Sequence, residues 1–155
     1  MEELIEEYCR GYEMLREAID GLSEEELRFK PAPDKWSIHE IIVHVTDAEL
    51  VATQRLKKVL AEDEPLLMSF DQDAWANSLL YEQMDRECQL SLFRLLRSSM
   101  QPVLVQLTPE QSERVGIYAD AGSFTFKQLM GYRIEHIRDH LSQIDRARKA
   151  YRQSR

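Results

Sequence analysis

Apolar residues recur at intervals of three and four along four long stretches of this chain, the spacing of one face of an α-helix. In the first stretch Leu4, Ile5, Tyr8, Tyr12, Leu15 and Ile19 share a face, which predicts a helix from Glu2 to Ile19, with Gly21 as its C′ glycine. In the second, Ile38, Ile41, Ile42, Val45, Ala48 and Ala52 stripe a helix from Ile38 to Ala61. Ser37 stands at its N-cap and Glu40 three residues on, the reciprocal pair of a capping box. Leu90, Leu92, Phe93, Leu95, Leu96 and Met100 give the third a broad apolar face from Asp85 to Leu107, with Pro102 predicted to kink it. The fourth opens on another capping box, Thr125 with Gln128, and runs from Phe126 to Tyr151.

Between these stretches the periodicity fails. "SEEELRFKP" predicts one capped helical turn, with Ser23 and Glu26 as its box and Pro31 and Pro33 preventing continuation. "EDEPLLMSFDQDAW" reads as a loop leading into a short helix from Ala74 to Leu80. A connection that long in a small domain is usually a functional loop or lid. "TPEQ" starts a turn with Thr108 as cap and Pro109 at the first helical position. "VGIYADAGSFTFKQ", with Gly116 and Gly122, suits an extended link or a small hairpin. Four apolar stripes are most simply buried against one another, so the expectation is all-α: one four-helix-bundle domain over residues 1–155, with long connections.

Composition narrows the function classes. Only five Gly and five Pro occur, in keeping with helix. Twenty basic against 28 acidic residues leave a formal charge of −8, which repels phosphate backbones and argues against a nucleic-acid partner. The one basic cluster, "RARKAYRQSR", places cations on the last turns of a helix, where the helix dipole favours them. Cys9 and Cys88 form no pair motif and fit reduced, mostly buried thiols. The acidic, amphipathic "MEELIEEYCR" is no signal peptide, and no apolar run reaches membrane-spanning length. A cytoplasmic protein acting on a small molecule, with no membrane partner, is expected. Exposed apolar residues on the first or third long helix are expected to form a homodimer interface.

The four histidines carry the candidate chemistry. His136 and His140 are four apart in "IEHIRDHLSQID", separated by only ~40° around a helix axis and so on one face. Open catalytic zinc sites use three protein ligands. Of the remaining two, His39 and His44 lie about 140° apart on their helix, so both cannot face one point. His44 shares the inner face with Ile41 and Ala48; His39 lies off that stripe and is expected not to be a ligand. The competing reading makes the three histidines hydrogen-bonded core residues. Asp47, one turn after His44, and Gln143, near His140, are the candidates for a general base or for orienting a ligand. Glu40 is better explained by its cap, and Trp36 as a packing anchor at the bundle end. Trp75 and Asp73 would line the pocket mouth or dock the loop.

"WSIHEIIVHVTDAE", Trp36 to Glu49, resembles the second-helix motif of the DinB-like, YfiT-type superfamily, and "HIRDHLSQI", His136 to Ile144, resembles its last-helix motif of two histidines and a glutamine. Ser142 departs from the glycine many members carry before that glutamine. The resemblance covers nearly the whole chain. It implies a four-helix bundle holding a divalent metal, zinc or nickel, through His44, His136 and His140. It also implies an enzyme: a transferase acting with a low-molecular-weight thiol cosubstrate, or else a metal-dependent hydrolase. A non-catalytic metal-binding bundle is the third reading.

Overall fold

A computed structural model describes residues 1–155. Seven helices and one hairpin follow in the order α1 (Glu2–Ile19), α2 (Glu24–Arg28), α3 (Ile38–Ala61), α4 (Gln72–Ser78), α5 (Arg86–Leu104), α6 (Pro109–Ser112), β1 (Val115–Tyr118), β2 (Gly122–Thr125) and α7 (Phe126–Gln153), with a 3₁₀ turn at Tyr81–Gln83. The four long helices are those expected. α1 and α3 keep their expected bounds. α5 stops at Leu104 rather than Leu107, two residues beyond Pro102, and α7 runs two residues past Tyr151.

The capping boxes set these boundaries. Ser23 with Glu26, Ser37 with Glu40, and Thr125 with Gln128 each exchange both hydrogen bonds, and Thr108 with Gln111 adds a fourth box. α4 begins earlier than Ala74 because Asp71 accepts from the Ala74 amide and acts as its N-cap. Gly21 adopts φ +69, a conformation open to glycine, and the chain turns there to join α2. The segment read as link or hairpin is a hairpin, Val115 pairing with Thr125 and Tyr118 with Gly122. Cys9 is half-buried but Cys88 is exposed, on the outer side of α5's first turn, against the expectation of two buried thiols.

The core divides into two apolar clusters. One joins Leu15, Ile41, Ile42, Val45, Leu90, Phe93 and Ile137; the other joins Tyr8, Leu56, Met100, Leu104, Phe126 and Met130. These memberships fix the helix directions. α3 and α5 both run from the first cluster to the second, while α1 and α7 both run the other way. Because α5 starts at the end where α3 started, residues 62–85 must travel back along the bundle. That return is why the second connection is long.

The returning segment is tied down. The Leu67 amide donates to the Ile117 carbonyl at 2.8 Å and the Ile117 amide to the Pro65 carbonyl at 2.9 Å, so the hairpin's first strand holds it. Arg55 on α3 donates twice to the Met68 carbonyl. Exposed apolar side chains lie along α5, Leu95 at 58% and Val103 at 43% exposure among them. No helix is long and apolar enough to cross a membrane.

Candidate metal centre

His44 on α3 meets His136 and His140 on α7 across the seam between the two helices. The Nε2 atoms of His44 and His136 are 3.3 Å apart, and those of His136 and His140 3.1 Å. A four-coordinate ion with bonds of 2.0–2.1 Å separates neighbouring ligand nitrogens by about 3.3 Å. The donor atoms of the three residues, alone among the histidines, cysteines and carboxylates of the chain, converge as a set that could hold a metal ion.

All three rings are held neutral. Burial, with the Arg133 guanidinium among the lesser causes, pushes His44 down to about 3. Burial, then the Arg133 guanidinium, pushes His136 down to about 2. Burial also lowers His140. Neutral imidazole is the form that offers a lone pair to a metal.

The outer nitrogens differ. His140 Nδ1 donates to Gln143 Oε1 at 2.8 Å, which fixes its proton there and leaves Nε2 as the free donor atom. His44 Nδ1 is buried without a partner. At His136 the partner is Arg133, whose Nη2 lies 3.1 Å from Nδ1. A guanidinium only donates, so Nδ1 accepts here and the His136 proton sits on Nε2, aimed at His140. For His136 to ligate through Nε2, that proton must pass to Nδ1 and Arg133 must withdraw. The residues fit an ion with that one local adjustment.

The walls are aromatic. The Trp36 ring lies 4.6 Å from that of His44, so Trp36 borders the centre rather than only anchoring the bundle end. Phe70, from the returning segment, lies parallel to His44 at 6.3 Å, and Trp75 meets Phe70 edge-on at 4.7 Å. Trp75 therefore acts through Phe70, which the sequence reading passed over; Asp73 is exposed.

The candidate Asp47 and the excluded His39 both lie elsewhere. Asp47 accepts from the Tyr81 hydroxyl at 2.5 Å and bonds to none of the three histidines. Burial raises its carboxyl above the usual range. His39 is buried against the 3₁₀ turn, Nε2 at 2.9 Å from the Tyr81 carbonyl and Nδ1 at 3.1 Å from Arg86. Glu40 is used by its cap and by Lys30.

Behind Arg133 lies a buried polar layer between the two apolar clusters. Glu49, fully buried, accepts from the Tyr8 hydroxyl at 2.8 Å and from Arg97 at 3.0 Å, with Arg133 at 3.6 Å. A signal for it exists in the sequence. Glu49 interrupts the stripe between Val45 and Ala52, Arg97 that between Phe93 and Met100, and Arg133 that between Met130 and Ile137.

Comparison with known proteins agrees with this architecture. The family model of the DinB superfamily matches residues 7–144. A protein of Oceanobacillus iheyensis bearing the name "Putative metal-dependent hydrolase OB0782" is 27% identical over 131 residues, 84% of this chain and 76% of that protein. A protein of Halalkalibacterium halodurans with the same kind of name, BH0277, is 29% identical over 127 residues, 82% of this chain and 74% of that one. The structure of YfiT from Bacillus subtilis, described as a four-helix bundle of unusual topology, superposes with a TM-score of 0.87 at 20% identity, covering 94% of this chain and 84% of YfiT. With a match that spans most of the chain, this protein belongs to the DinB superfamily.

Proposed function

We propose that His44, His136 and His140 hold one divalent ion through their Nε2 atoms, and that the protein is a metal-dependent hydrolase of a small molecule. The observation that carries this reading is the convergence of three neutral imidazoles on one seam of the bundle, with His136 Nε2 at 3.3 and 3.1 Å from the Nε2 atoms of His44 and His140. The names of the relatives support the reaction class. Held there, a divalent ion supplies a Lewis acid that lowers the pKa of a bound water and deprotonates a bound thiol outright. The chain's own contribution is to keep the imidazoles neutral by burial, to fix the His140 tautomer through Gln143, and to wall the centre with Trp36 and Phe70.

A second reading, transfer of a low-molecular-weight thiol to an electrophile, is favoured by one specific feature. None of the three histidines hydrogen-bonds to a carboxylate; their partners are Gln143, Arg133 and one another. No carboxylate is therefore fixed beside them to take a proton from water, and a thiol needs none.

The test begins with elemental analysis of untagged protein. Near-stoichiometric zinc or nickel is expected, lost in His44→Ala and His140→Ala and kept in His39→Ala. A parent that takes up no divalent ion even when supplied makes the histidines core residues. The loaded protein is then assayed on aryl esters and on an electrophilic acceptor, each with and without a thiol. Ester turnover without thiol supports the hydrolase; turnover that requires the thiol replaces it with the transferase.

A further inference from the structure

Beside the metal centre, one turn back along α7, a cleft of about 240 Å³ opens between α3, α7 and the hairpin. Its walls are mainly apolar. Ala52 and Leu129 form the helix side, and Tyr118, Phe124 and Tyr132 form an edge-to-face aromatic row with ring separations of 5.7 and 5.6 Å. The volume suffices for an aromatic ring, since an apolar cavity of ~150 Å³ takes up benzene. Two charged side chains line it, Arg55 and Arg133, and no carboxylate does.

The charge around Arg133 does not balance. Glu49 is the one carboxylate in the buried layer, and both its oxygens are already engaged, Oε1 by Tyr8 and Oε2 by Arg97. Arg133 stands 3.6 Å from that same Oε2, so a buried guanidinium, Arg97, and a partly buried one, Arg133, share one negative charge. Arg55, the third cation of the neighbourhood, spends its hydrogen bonds on the neutral Met68 carbonyl and its face on Tyr118, 5.2 Å away. The Arg133 Nε–H is buried with no acceptor at all. Unpaired buried donors and charges are costly, so a protein that keeps one beside a cavity has a place for a complementary ligand.

We propose that this cleft binds a small carboxylate carrying an aromatic or similarly sized apolar body, the body against Phe124 and Tyr132 and the carboxylate on Arg133. A carboxylate supplies the acceptors that Arg133 lacks, in the paired geometry a guanidinium favours. The hairpin finds a use here: its aromatic row forms the wall that four helices alone would leave open. Arg133 also touches His136, so the occupant lies beside the histidines. The inference does not require a bound metal.

The test uses full-length, metal-stripped protein in a buffer free of carboxylate and phosphate, titrated calorimetrically with benzoate, benzamide and acetate. Benzoate is expected to bind saturably at one site, at least tenfold tighter than benzamide, which lacks the charge, and than acetate, which lacks the body. Arg133→Gln is expected to weaken benzoate at least tenfold. Ala121→Leu, at the exposed hairpin turn that lines the cleft, is expected to weaken it similarly by filling space, and tests the same cleft should the arginine variant fold poorly. Equal binding of benzoate and benzamide, or benzoate binding unchanged in both variants, overturns the proposal. So does binding that appears only in metal-loaded protein and vanishes in His44→Ala, because the carboxylate is then a metal ligand. Loss of the metal site with benzoate binding intact counts against the proposed function and leaves this cleft standing.

Discussion

The three histidines differ at their outer nitrogens, with Gln143 beside His140, Arg133 beside His136 and no partner for His44 Nδ1, and that difference should be measurable. Gln143 Oε1 holds the His140 Nδ1 proton at 2.8 Å. Removing such a support lowers metal affinity by about 10–100-fold in comparable sites. Gln143→Leu is therefore expected to release zinc to a competing chelator at correspondingly lower chelator concentration, while His39→Ala does not; an unchanged Gln143→Leu competition curve removes the orienting role. The same histidines set an acid limit. An unfolded histidine protonates near 6.5, whereas His44 in the fold resists protonation down to about 3. Between those values the unfolded chain binds the extra proton, so the stabilising contribution is complete above pH 6.5 and is lost as pH falls through that window. For metal-stripped protein, the unfolding free energy from urea titration should decline below pH 6.5, by up to about 1.4 kcal/mol per pH unit for each proton taken up. His44→Gln should flatten the slope, and equal slopes in the two proteins would contradict the assignment.

At the level of elements, the four stripes are what the sequence announces, and the interruptions in them are what it conceals. Leu15, Ile42, Phe93 and Ile137 declare their faces by periodicity alone. Glu49, Arg97 and Arg133 occupy inner positions of the same stripes, but only the assembled bundle shows that they meet, since a charged residue at an inner position could equally mark the edge of a face. Phe70 could not be found for a related reason: it reaches His44 from an irregular segment positioned by hydrogen bonds to the hairpin, and periodicity says nothing about such a path. The polar layer imposes a demand on α1. Arg97 passes over Gly11 on its way to the Tyr8 carbonyl and Glu49, and a Cβ on Gly11 would meet Arg97 Nη1 at 2.2 Å. Gly11→Ala gains about 1 kcal/mol of helix propensity. Against that, displacing one partner of a buried ion pair costs roughly 3–5 kcal/mol. A net loss of about 2–4 kcal/mol is expected in urea unfolding, and the substitution should cost less in an Arg97→Met background, where the clash is gone. A stabilised single variant would mean that the guanidinium moves aside freely.

Over the whole molecule, the order and type of the long elements and the meeting of His44 with His136 and His140 were legible from spacing and from the two family-like motifs; the helix directions were not. Four amphipathic helices can be threaded in several senses, and the parallel run of α3 and α5 follows from where residues 62–85 lead, which depends on their anchoring to a hairpin far along the chain. This threading matters for the metal. α3 and α7 are separated in sequence by the whole of α4, α5, α6 and the hairpin, yet they supply all three histidines. An ion held between them closes a loop from residue 44 to residue 136 and exists only while the bundle is assembled. Its binding therefore adds to stability by mass action: about 2.7 kcal/mol when free metal stands at 100 times its dissociation constant. For a domain of this size that corresponds to a rise in Tm of roughly 5–10 °C. Stripping the ion with a chelator is expected to lower the Tm by that amount, and restoring zinc or nickel to recover it in proportion to the logarithm of free metal. His44→Ala should show neither effect while folding to the same helical content. A chelator-sensitive Tm that persists in His44→Ala would locate the stabilising ion elsewhere in the molecule and dissolve the link between α3 and α7.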